Sequence, residues 1–73
     1  MKAYTITITS NRHGTHYKRT VTSESLPRVT RFAHSVIDAI WYDLDVNAKG
    51  QLIITNADTG EICWTENITP YEE

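Results

Sequence analysis

Residues 25–45 read SLPRVTRFAHSVIDAIWYDLD, and the spacing within this stretch decides the fold. Val29, Phe32, Ala33, Val36, Ile37, Ile40 and Leu44 recur at the i, i+3, i+4, i+7 intervals that gather apolar side chains on one side of an α-helix. Pro27 suits the first turn, where its missing N–H has no bond to lose, and Ser25 stands ready as a cap. The helix is predicted to begin near Pro27 and to end around Asp45, with Asn47-Ala48-Lys49-Gly50 as the stop. Such a stripe needs an apolar surface to lie on.

Both flanks supply one. Upstream, Tyr4, Ile6 and Ile8 alternate with Thr5, Thr7 and Thr9, the period of a half-buried strand with a threonine-rich wet face. From His16 to Thr22 the alternation returns, with Tyr17 and Val21 inward and Lys18, Thr20 and Thr22 outward. Arg19 takes the inward parity, which fits a sheet margin where its stem packs and its charged head escapes to water. Asn11-Arg12-His13-Gly14 joins the two runs as a turn. Downstream, Leu52/Ile54 and Ile62/Trp64 form a second pair of alternating runs around Asn56-Ala57-Asp58-Thr59-Gly60. The predicted fold is α+β: a two-layer ββαββ domain, a four-stranded antiparallel sheet with one helix packed on one face. The 73 residues form one domain, with residues 66–73 expected to be a partly frayed acidic tail.

Size and composition narrow the function classes. A chain this short hides about 60% of its unfolded surface, which leaves a thin core and little room for a catalytic cavity. With 40% apolar and 22% charged residues the composition is that of a globular domain. The single Cys63 excludes an intramolecular disulfide, the N-terminus lacks the apolar run of a signal peptide, and no segment approaches a membrane span. A cytoplasmic protein without membrane contact is expected.

No catalytic residue set can be assembled: nothing places a His beside a Ser or Thr, and Cys63 lies mid-strand without a basic neighbour. His13 and His16 form H-x-x-H, but residues three apart in a strand or turn point in opposed directions, and no second ligand pair supports them, so no zinc site is expected. Asp43, Asp45 and Asn47 start like a calcium loop, yet Ala48 stands where Gly is needed and Ile54 where a bidentate Glu is needed. No metal or cofactor is expected, and the chain reads as a non-enzyme.

Charge is the pointed feature. The net charge of −2 conceals two unequal halves. Residues 1–37 carry six Lys/Arg against Glu24 alone, a net +5; residues 38–73 carry Lys49 against eight carboxylates, a net −7. Such asymmetry suits a polar contact surface. Two candidate partner-binding surfaces follow. One is the basic hairpin Arg12, His13, His16, Lys18 and Arg19, whose like charges repel mildly and so serve no evident stabilising purpose. The other is a helix stripe of His34, Asp38, Trp41, Tyr42 and Asp45, mixing large aromatics with acids as protein-binding helices do.

A very short ββαββ chain, rich in Thr and charge and without catalytic motifs, resembles the small single-domain inhibitors encoded by phages and mobile elements, including some anti-CRISPR proteins. The resemblance implies a binding protein that blocks a host defence or nucleic-acid-processing machine by surface complementarity, and the acidic second half would suit a nucleic-acid site. The expected partner is a host protein or complex. The alternative is a nucleic-acid-binding regulator using the first hairpin, with phosphates on its cations and bases stacked on Tyr17. Head-to-tail pairing of the two halves in a homodimer is a third use of the same charges.

Overall fold

The computed structural model describes residues 1–10, 14–44 and 49–68, and of His16 and residues 41–44 the backbone alone. β1 (Lys2–Ser10) and β2 (Gly14–Ser23) precede α1 (Leu26–Leu44), and β3 (Gly50–Asn56) and β4 (Ile62–Ile68) follow it. Every pairing is antiparallel and the sheet order is β2-β1-β3-β4. This is the expected α+β arrangement, with β1 and β3 central and β2 and β4 at the edges.

Alternation in β1 sorts the sheet into two faces. Tyr4, Ile6 and Ile8 are buried beneath α1, and Leu52 and Ile54 of β3 lie beside them, with Ile6 opposite Ile54 and Ile8 opposite Leu52. Val29 and Ala33 press down from the helix and Ile68 closes one side. Burying each of the larger of these side chains is worth roughly 1.5–3 kcal/mol, and in a chain of this size little else can hold the fold. The other face carries Thr5, Thr7, Thr9 and Thr20, with the Thr5 and Thr20 hydroxyls 3.1 Å apart.

The helix departs from expectation at two places. Phe32 belongs to the apolar spacing, yet it is 40% exposed, because it lies on the margin of the stripe, beyond Val29 and Ala33. Ser25 precedes the first helical residue, but the hydroxyl that organises this corner belongs to Ser23, which accepts from Ser25 N–H at 3.3 Å and donates to the Ser25 carbonyl at 3.1 Å. α1 lies mainly over β1 and β2. No helix among the described residues is long and apolar enough to cross a membrane.

The second hairpin turns as its residues predict. Asn56 Oδ1 accepts from Asp58 N–H at 2.8 Å and Thr59 N–H at 3.2 Å, and Gly60 takes φ +78°, the left-handed region that favours glycine. β4 then breaks step: Trp64 faces Ile54 and Ile62 faces Thr55, so one extra residue sits between them. An added residue reverses strand parity, which carries Ile62 to the threonine side of the sheet, 61% exposed. The strand also runs farther than expected. Glu66, Asn67 and Ile68, assigned by sequence to the frayed tail, pair with Leu52, Gln51 and Gly50, since Ile68 has the apolar core to bury against. Residues 69–73 lie outside the described residues.

Candidate functional site

The basic hairpin is not one patch. Lys18 stands opposite Thr7 on the threonine face and Arg19 opposite Ile6 on the helix face, because adjacent strand residues point to opposite sides. Arg12 and His13 lie outside the described residues, as does the side chain of His16. On the helix, His34 and Asp38 are exposed, while Asp45 and the side chains of Trp41 and Tyr42 lie outside the described residues.

What the structure assembles around Arg19 is a groove between β2 and α1, of about 290 Å³. Val21, Val29 and Phe32 give it an apolar floor, and Arg19 from the strand and Arg28 from the first turn of the helix stand at its sides. Ser23 lines it at the corner where β2 gives way to α1. Thr22, between Val21 and Ser23, borders it as well, and among the described residues β2 is an edge strand. The sequence spacing accounts for this assembly. Arg19, Val21 and Ser23 alternate toward the helix, and Arg28 and Phe32 are four apart and so share one side of α1.

Its electrostatics run one way. Among the described residues neither Arg19 nor Arg28 has a carboxylate partner. Glu24, the one carboxylate of the first 37 residues, does not line the groove. Arg28 also stands at the positive end of the helix macrodipole, and the first turn contains no acidic residue to offset it. A cation there costs the helix a few tenths of a kcal/mol, so stability does not explain it. Sequence reasoning placed Phe32 in the apolar stripe of the helix and gave Arg28 no role beyond its charge. The signal available was the inward parity of Arg19, which required a gap in the apolar layer at the sheet margin, together with an Arg four residues before a large aromatic.

A second cluster joins the helix to the far edge of the sheet. His34 Nε2 lies 2.9 Å and 3.0 Å from the two carboxylate oxygens of Glu66, and Trp64 Nε1–H donates to Glu66 Oε1 at 3.2 Å. The hydrogen bond from His34 holds the Glu66 carboxyl below its ordinary value. Both carboxylate oxygens are engaged, and the trio braces α1 against β4. Among the described residues no three His, Cys, Asp or Glu come together to hold a metal ion. Cys63 is exposed, its Sγ 3.7 Å from the Glu61 carbonyl.

No family model, no curated protein and no solved structure matches this chain.

Proposed function

We propose that this protein is a non-enzymatic binding module that works by protein–protein contact, seating an acidic partner in the groove between β2 and α1. The observation that carries the reading is the pairing of an apolar floor with two guanidinium groups that no carboxylate of the described residues neutralises. Arginine beside an exposed aromatic is the composition of interface hot spots, since both bring large contact area with directed binding. A volume of about 290 Å³ lies just below the range of ligand clefts, roughly 300 to 1,000 Å³, and suits one or two side chains rather than a cofactor. Nucleic acid is the weaker occupant, because a duplex would meet the net −7 of the second half as well as the two arginines.

The test is capture from bacterial lysate by wild type and by the double variant R19E/R28E, each with and without nuclease. Specific proteins retained by wild type after nuclease, and lost by the folded double variant, support the reading. Retention by both variants alike removes the groove from the function, and loss on nuclease treatment transfers the function to nucleic acid.

A further inference from the structure

Resting on that reading, we infer that the partner enters the groove as an extended acidic peptide segment and adds to the free edge of β2 as a fifth strand. β2 is ten residues long, at one end of the sheet order, and β1 is its only strand neighbour among the described residues. Alternate residues of an edge strand turn their N–H and C=O groups away from the sheet, ready to pair with another chain. The register shift in the β1–β2 ladder falls between Ile8 and Thr9, near the hairpin tip, and Tyr17 to Ser23 run in unbroken register. A segment laid there would send alternate side chains under α1, in the position that the groove leaves unfilled.

The lining specifies the segment. The residue opposite Val21 meets Val21, Val29 and Phe32 and must be apolar. Two positions to one side the segment meets Arg19. Two positions to the other it meets the Ser23 corner, where the first turn of α1 brings Arg28. Carboxylates belong at both, so the pattern is acidic–x–apolar–x–acidic, spanning about 13 Å at strand rise. This is strand addition, in which backbone hydrogen bonds give affinity and alternate side chains give selectivity. A second copy of this chain fits less well. Two β2 edges paired about Lys18 or Arg19 would bring like charges together, and a β2-to-β4 contact is heterologous and so leads to a ring or a filament rather than a closed pair. Charges on an edge strand also serve as guards against pairing; here the guards exclude basic edges and admit acidic ones.

The probe is a fluorescein-labelled peptide of alternating threonine and core-facing residues bearing the pattern above. Three controls accompany it: the same peptide with lysine for each glutamate, the same peptide N-methylated on the amides that would pair with β2, and a single-stranded oligonucleotide. Anisotropy should show binding of the acidic peptide alone, weakened about tenfold or more by R19E/R28E. Amide exchange should slow within residues 17–23 on binding. Binding that is lost in R19E/R28E but indifferent to N-methylation overturns strand addition and leaves the groove as a docking site. No binding of the acidic peptide, or equal binding of the lysine peptide, overturns the inference whatever the lysate experiment shows. Preference for the oligonucleotide overturns both, and concentration-dependent self-association that R19E/R28E abolishes assigns the edge to a second copy.

Discussion

His34 on α1 and Glu66 on β4 are joined side chain to side chain at 2.9 Å, so the helix is tied to the edge strand farthest from the groove. The helix body lies mainly over β1 and β2. The pair sits at the rim of the core, since Glu66 stands opposite buried Leu52 and His34 follows buried Ala33.

Its pH dependence has a definite sign. The Glu66 carboxyl titrates below its ordinary 4.5 chiefly through the His34 hydrogen bond; slight burial opposes this, and the Trp64 N–H and the charge of His34 add to it. A carboxyl that is more acidic folded than unfolded contributes stability above 4.5 and loses it as pH falls through the folded value. The wild-type Tm should fall more than that of E66Q between about pH 5 and about pH 3. Both side chains are more than a third exposed, so the difference is under about 1 kcal/mol. Parallel curves for the two proteins would show that the brace contributes nothing.

Two apolar residues of the second hairpin should behave oppositely on truncation. Leu52 is fully buried and Ile62 is 61% exposed. Leu52→Ala is expected to cost about 2–5 kcal/mol, enough to leave so small a domain largely unfolded, and Ile62→Ala less than about 0.5 kcal/mol. Urea melts would check both, and a large loss at Ile62 would contradict the register assigned to β4.

Gly60 tests backbone conformation apart from space. An added Cβ would meet nothing within 4 Å, yet φ is +78°. Gly60→Ala should cost about 1 kcal/mol through conformation alone, and Gly60→Asn less, because Asn tolerates that region. Equal stability of the three proteins by thermal melting would refute the turn geometry.

Groove binding should weaken with salt but not vanish. The guanidinium groups are exposed, where ions screen them over about 8–10 Å, whereas the contact with Val21, Val29 and Phe32 is indifferent to ionic strength. Raising sodium chloride from about 0.05 M to about 0.5 M should lower peptide affinity severalfold, and the residual binding should be abolished by Phe32→Asp. Affinity that does not respond to salt would show that Arg19 and Arg28 are bystanders.

The element order, the helix and the core faces of β1 and β3 were legible in the sequence, because periodicity reports which side of an element is dry. The course of β4 was not. Its extra residue leaves no mark in composition, and a single step of parity moves Ile62 from one face to the other. Nor could the groove be read directly. Arg19 and Arg28 are nine residues apart and line one groove only because the chain turns at Ser23, so local charge points to the hairpin and not to the first turn of the helix. The partner of His34 is hidden for the same reason, since Glu66 lies 32 residues away at the start of the expected tail.

The pairing of β1 with β3 also bears on how the chain is made. Tyr4 finds its partner at Asn56, and the central ladder of the sheet cannot form until most of the polypeptide exists. What precedes it is one two-stranded hairpin, marginal alone in water, and a helix whose first turn holds a cation at the positive end of its dipole. The two can cover one another, but the core row of Leu52 and Ile54 is missing until β3 arrives. The complete core therefore closes only once β3 has been added, and joining β1 to β3 carries the loop-closure cost of the long segment between them.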